Sequence, residues 1–196
     1  MGLRGGVFRA AIVLAALSMS APGFSGQEEM AVAADRQVPL LLKILTYDRR
    51  LESRVGQHLV IGIVRSPTSS VSAKACEEVS AILQSYLGKT VKQIPIDYQW
   101  ADYAGPEKLL TWAKAKKISV FYLSPGNEKN LVAILKVGQE NGISSMTGVP
   151  AYVERGVAVG IGERQAKPQI LINLESSKRE GSEFDASLLR VATIVK

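Results

Sequence analysis

Residues 118–147, ISVFYLSPGNEKNLVAILKVGQENGISSMT, decide the fold class. Residues 118–123 form an apolar run of strand length, rich in β-branched and aromatic side chains. Ser124-Pro125-Gly126-Asn127 turns the chain. A helical pattern follows and stops at Asn141-Gly142, where a glycine can take the left-handed conformation that ends a helix. Residues 143–147 make a second short strand. Two strands joined by a helix are a βαβ unit, and such strands lie parallel.

The same alternation extends upstream. Pro106 starts a helix that reaches about Lys116, preceded by a loop over residues 99–105 with Trp100, Asp102 and Tyr103. Residues 90–96 read as a strand. The long helix before it opens at Arg65-Ser66-Pro67-Thr68-Ser69-Ser70, and Val71, Ala75, Val79, Ile82 and Tyr86 recur at helical spacing up to Gly88. Residues 58–64 (HLVIGIV) read as a buried strand. Residues 38–52 read as one helix with Pro39 in its first turn, and Asp48 interrupts its apolar stripe of Leu41, Ile44, Leu45 and Leu51. Downstream, residues 156–161 and 169–174 are two strands joined by a polar turn at Gln165-Ala166-Lys167, and a closing helix spans residues 182–195. This order predicts a single α/β domain: a mostly parallel sheet, helices on both faces and an antiparallel C-terminal edge hairpin.

Composition agrees with one globular domain. The chain has 196 residues, 24 Lys+Arg against 18 Asp+Glu, a net charge of +6 and 46% hydrophobic residues. One His and one Cys are too few for a zinc site, which takes about three or four such ligands. A Ser-His-Asp triad could use His58 alone, and a Cys-His dyad only Cys76 with His58. Acid/base and nucleophilic chemistry is poorly provided for, so the chain is expected to be no enzyme, with no cofactor and no metal. Cys76 beside an apolar helical face reads as a buried free thiol, and His58 as a surface or edge residue.

Residues 1–34 read as a cleaved secretory signal, leaving residues 35–196 as the domain. Arg4 and Arg9 form the positive region, AAIVLAAL at 10–17 the short apolar stretch, and Ala31-Val32-Ala33 a small-residue cleavage site, with an alternative near Ser25-Gly26. The apolar stretch is too short to span a bilayer, which takes about 20 residues. The expected outcome is export into an oxidising compartment, as a soluble protein.

Familiar motifs fail on order or spacing. Gly88-Lys89-Thr90 follows a helix, whereas a phosphate-binding loop follows a strand, and position 83 is Leu where that loop has Gly. The glycines of GVAVGIG at 156–162 do not match the dinucleotide fingerprint. There is no G-x-S-x-G elbow. Arg49, Arg50 and Arg54, and Lys114, Lys116 and Lys117, are short basic runs that argue for no nucleic acid and leave an acidic partner or membrane surface open.

In a parallel sheet, ligands bind outside the carboxyl ends of the strands. Those ends carry Ser66, Thr68 and Ser69, then Ser124, Gly126 and Asn127, then Thr147 and Gly148. Hydroxyls and free N–H groups there suit a small polar ligand, and the same residue types also serve as helix caps. Tyr47 and Leu51 on the first helix, and Trp100 and Tyr103 in the loop, are candidate contacts for a protein partner.

The C-terminal third carries a resemblance. The run Ile170-Leu171-Ile172-Asn173-Leu174-Glu175-Ser176-Ser177-Lys178, followed by Phe184-Asp185-Ala186-Ser187-Leu188-Leu189-Arg190-Val191-Ala192, resembles the end of the YfiR-like family (DUF4154). The glycine-rich strand at 156–162, the early apolar helix and Ile143-Ser144-Ser145-Met146-Thr147 fit the same pattern. The resemblance implies a periplasmic, non-enzymatic regulator. Its partner would be an inner-membrane diguanylate cyclase, which it represses to control cyclic-di-GMP, or an outer-membrane protein. A homodimer is possible, and a periplasmic solute-binding protein is the alternative function.

Overall fold

The computed structural model describes residues 1–2 and 29–196. The Arg4/Arg9 region, the apolar stretch and the Ser25-Gly26 site lie outside the described residues. The core of the fold is an eight-stranded sheet in the order β2-β3-β1-β4-β5-β6-β7-β8. The strands are β1 (Leu59–Arg65), β2 (Thr90–Val91), β3 (Ile94–Asp102), β4 (Val120–Leu123), β5 (Ser144–Thr147), β6 (Val159–Arg164), β7 (Lys167–Asn173) and β8 (Thr193–Val195). The run β3-β1-β4-β5-β6 is parallel throughout, and β6–β7 is an antiparallel hairpin. The single-domain α/β architecture is the one expected.

Alternation along each central strand builds two cores. In β4, Val120 and Tyr122 face one side and Phe121 and Leu123 the other. On the first side pack α1 (Ala34–Leu45) and α3 (Ser70–Gln84), through Leu41, Leu42, Leu45, Val79 and Leu83. On the second pack α4 (Pro106–Lys116) and α5 (Leu131–Asn141), through Leu109, Ala113, Ile134 and Leu135. A short helix, α6 (Pro150–Glu154), adds Tyr152 to the second core; the sequence reading missed it. Gly62 lies under Ile118 and Trp112, where a Cβ would stand 2.7 Å from Ile118, so the β1 backbone and its covering layer touch directly.

Four expected elements are corrected. The single helix over 38–52 is instead α1, a turn, and α2 (Leu51–Arg54). Asp48 breaks it: its carboxylate accepts N–H bonds from Arg50 (3.0 Å) and Glu183 (2.9 Å), an alternative to the helical ladder. Pro39 sits inside α1, since the helix begins at Ala34. The strand over 90–96 divides at Lys92-Gln93, whose φ values of 48° and 67° make a tight two-residue hairpin turn. β3 then continues through the expected loop as far as Asp102, because β1 pairs with it, Ile63 opposite Trp100 and Arg65 opposite Asp102. The closing helix over 182–195 is replaced by α7 (Leu174–Arg179), α8 (Ala186–Leu189) and β8. Gly181 at φ 84° follows α7, and β8 joins β7 in parallel as the outermost strand, beyond the expected hairpin.

The chain immediately before α1 is part of the core. Val32 is buried, as is Ala34 at the start of α1; Ala31 N–H donates to the Gly148 carbonyl (3.0 Å), and the Gln37 amide donates to the Val32 carbonyl (3.0 Å). Removing these residues would strip apolar burial and leave Gln37 underbonded. A chain beginning at Asp35 is expected to be about 2–4 kcal/mol less stable than one beginning at Gln27, read by thermal denaturation. Equal melting temperatures would show that this segment contributes nothing.

Candidate functional site

The β1–β4 border is where successive crossovers leave in opposite directions, since β1 leads to β3 on one side and β3 leads back across to β4 on the other. A crevice outside the carboxyl ends of the strands is expected at such a point. Ser66, Ser69, Ser124, Gly126 and Asn127 meet there, whereas Thr147 and Gly148 lie one strand further on, at the end of β5. Ser69 caps α3 by accepting from Ser72 N–H (3.2 Å), and Ser72 Oγ in turn accepts from Ser66 N–H (2.8 Å). Gly126 lies against Ser69: a Cβ on it would stand 2.5 Å from Ser69 Oγ, and its φ is 79°. Asn127 donates from Nδ2 to the carbonyls of Val64 (2.9 Å) and Ser124 (3.0 Å), tying the end of β1 to the turn after β4. Its N–H donates to Tyr152 Oη (3.0 Å). Thr147 Oγ1 donates to the Leu123 carbonyl and accepts from Val149 N–H. Gly148 packs on the Gln37 amide.

Most of these groups therefore work as structural ties. Ser66, Ser124, Asn127 and Thr147 are buried and Thr68 is exposed. Two atoms stand apart. Ser124 Oγ and Asn127 Oδ1 are buried and have no hydrogen-bond partner among the described residues, an arrangement that calls for explanation.

The partner-contact candidates separate by exposure. Leu51 is fully buried in the first core, so it offers no surface; α2 turns it inward. Tyr47 is half-buried, with the Lys43 ammonium 5.6 Å from its ring centre. Tyr103 is half-buried against the second core, and burial raises its phenol pKa. Trp100 is half-exposed, and the Arg65 guanidinium lies 4.7 Å from its ring centre. Arg65 also forms a two-pronged ion pair with Asp102 (2.6 and 2.8 Å), which lowers the Asp102 pKa. Cys76 is buried in α3 and burial pushes its thiol up, the opposite of an activated thiolate. His58 is exposed just before β1.

Family models give the decisive comparison. The DUF4154 model, described as YfiR/HmsC-like, matches residues 38–193. The chain belongs to the YfiR/HmsC-like family. No relative was found among curated proteins. Solved structures share the fold at low identity. A conserved domain protein from Vibrio cholerae O1 biovar El Tor is 15% identical, with TM-score 0.61, over 83% of this chain and 60% of that one. The ABC domain in complex with L-Trp from Streptococcus pneumonia is 13% identical, with TM-score 0.57, over 84% and 62%. The ligand-free, open form of a Clostridium difficile substrate-binding protein with adhesive properties is 16% identical, with TM-score 0.51, over 75% and 57%. The chain thus spans about three fifths of the length of these proteins.

The structure of this YfiR/HmsC-like chain also reveals a buried polar network that sequence reading missed. Glu180 is fully buried; one carboxyl oxygen accepts from Ser145 N–H (2.7 Å), and the other lies 2.6 Å from Ser145 Oγ. Burial pushes its carboxyl up to about 8, against the opposing pull of the Ser145 bonds and Arg54. Arg54 joins Asp48 Oδ2, Ser182 Oγ and the Gly142 carbonyl, and Ser182 Oγ meets Ser144 Oγ (2.7 Å). In sequence, Glu180 follows Lys178-Arg179 and reads as one more solvated charge. The only local signal is Asp48, the polar break in an apolar stripe.

Proposed function

We propose that this chain is exported, loses its leader upstream of Met30, and represses a membrane diguanylate cyclase by binding the cyclase's periplasmic portion. The observation that carries this reading is the family match over residues 38–193, which supports a periplasmic regulator of the diguanylate cyclase pathway at family level. The family is regulatory and not catalytic. Among the described residues no helix is long and apolar enough to cross a membrane. Placing the cut near Ser25-Gly26 retains Val32 and Ala34 in the core; placing it after Ala33 or Ala34 discards core contacts.

Repression by binding is a shift of populations. The protein must hold the inactive cyclase more tightly than the active one, and turning a 99:1 mixture into 1:99 needs about a 10⁴-fold preference. The test is intracellular cyclic-di-GMP in a strain lacking the gene. We expect a raised level, restored by the full chain and not by a version lacking residues 2–26. An unchanged level, under conditions where the protein is made, would refute the proposal.

A second reading is a small polar ligand held at the β1–β4 border, in a fold shared with a substrate-binding protein. The orphaned Ser124 Oγ and Asn127 Oδ1 favour it. Each free amino acid, added in turn to the purified protein, is the probe. A rise in melting temperature that Asn127→Ala abolishes would support this reading, and no rise with any of them would refute it for that class.

A further inference from the structure

We propose that the groove along one flank of α1 docks an acidic, apolar segment of the regulatory partner; this deepens the regulatory reading above and rests on it. The groove has a volume of about 210 Å³ and lies between α1, the end of α3 and the β2–β3 hairpin. Its floor is apolar, with Leu42, Val91 and Ile96 buried. Lys43 stands on one bank and Lys89 on the other. Each ammonium is held over a tyrosine, Lys43 at 5.6 Å from the Tyr47 ring centre and Lys89 at 4.1 Å from that of Tyr86.

The charge in this groove has no internal answer. No Asp or Glu lines it, and neither lysine has a carboxylate within ion-pairing distance among the described residues. Lys92, close by in the same hairpin, shows the contrast: it lies 3.6 Å from Glu52 and donates to the Asp48 carbonyl. A tyrosine face takes one side of an ammonium and leaves N–H donors free. Lys43 also borders a second groove of about 220 Å³ on the other flank of α1, and no carboxylate lines that one either.

This pattern selects the occupant. An apolar segment alone would fill the floor but would shield two ammoniums without a counter-charge, which is unfavourable. Carboxylates flanking an apolar side chain would meet both lysines through charge-assisted bonds while that side chain fills the floor. The net charge of +6 favours encounter with such a segment. A recessed apolar floor between two banks accepts a protruding side chain, whereas a planar lipid surface would touch only the banks.

The test combines a cellular readout with direct cross-linking. The double variant Lys43→Glu/Lys89→Glu is compared with Lys114→Glu/Lys116→Glu, which alters exposed lysines of α4 on the opposite face of the sheet. All four changes are at exposed positions, so each protein should be exported normally and melt within about 2 °C of the parent. We expect cyclic-di-GMP to rise to the deletion level with the first variant and to stay at the parental level with the second. In intact cells, Thr90→benzoylphenylalanine should cross-link to a protein segment whose sequence, read by mass spectrometry, has carboxylates flanking apolar residues. Adding Lys43→Glu/Lys89→Glu should abolish that cross-link.

Parental cyclic-di-GMP with Lys43→Glu/Lys89→Glu, in a background where deletion raises it, would overturn the docking proposal and leave the regulatory reading standing. So would a cross-link to a basic or uncharged segment, or lysine-dependent binding to phosphatidylglycerol vesicles in place of a protein cross-link. Deletion without effect, together with an acidic cross-link lost in the double variant, would support the docking site and sink the regulatory reading.

Discussion

Arg54→Ala is expected to destabilise the domain by about 3–5 kcal/mol, because it leaves the buried Asp48 carboxylate without its counter-charge. Asp48 is fully buried, and the Arg54 side chain is only 11% exposed. The guanidinium is also the link between Asp48, Ser182 and the last turn of α5 at Gly142. Asp48 would keep its two backbone donors, Arg50 and Glu183, but those carry no full charge. For a domain of this size the loss corresponds to a fall in melting temperature of about 10 °C, measured by circular dichroism. Arg54→Lys should fall between the two, since an ammonium keeps the charge but not the planar fork. Combining Arg54→Met with Asp48→Asn should cost less than the sum of the single changes, because the stranded charge is then gone. A drop below about 1 kcal/mol for Arg54→Ala would mean that solvent screens Asp48 as it does a surface pair.

Glu180→Gln should flatten the alkaline limb of the stability profile. The folded carboxyl is pushed up to about 8 by burial, against an ordinary value of 4.5. A group raised on folding favours the native state fully below its unfolded value, and that contribution is lost as pH rises through the folded value. The parent should therefore lose stability between about pH 5 and pH 9, by several degrees in melting temperature. Glutamine cannot ionise, and its amide can serve both Ser145 groups, accepting from the N–H and donating to Oγ. The variant should match the parent near pH 5 and exceed it near pH 9. The acid limb should survive, because Asp185 is held low by the Ser187 N–H and by Arg49, and its contribution is lost only as pH falls. Parallel profiles for parent and variant would show that Glu180 titrates normally in the folded chain.

Both predictions concern residues whose importance local sequence could not reveal. Asp48 could be seen as a break in the stripe of Leu41, Ile44, Leu45 and Leu51, but not as an acceptor for Glu183, which is 135 positions away. Glu180 looks solvated beside Lys178 and Arg179 until Ser145 of β5 closes over it. The strand-end residues were easier to find. Ser66, Ser69, Ser124 and Asn127 follow apolar strand-length runs, and helix or turn starts call for small polar side chains there. Their convergence was implied by the parallel order of the strands. Their internal ties, such as Asn127 to Val64, were not.

The sequence by itself determined the α/β class, the alternation of strands and helices through residue 147, the β6–β7 hairpin and the likeness to the YfiR-like family. These follow from periodicity and turn chemistry within windows of a few residues, and a helix or a doubly buried strand carries that signal wherever it packs. Tertiary structure alone decided that β3 continues past Trp100, that residues 193–195 become an edge strand, that Leu51 faces inward, and that Lys43 and Lys89 share one groove. A short or edge strand is stabilised by the strand beside it, and the burial or pairing of a charge depends on neighbours far away in the chain. No local window contains those neighbours, so the same residues could have read as loop, helix or solvated surface until the sheet assembled around them.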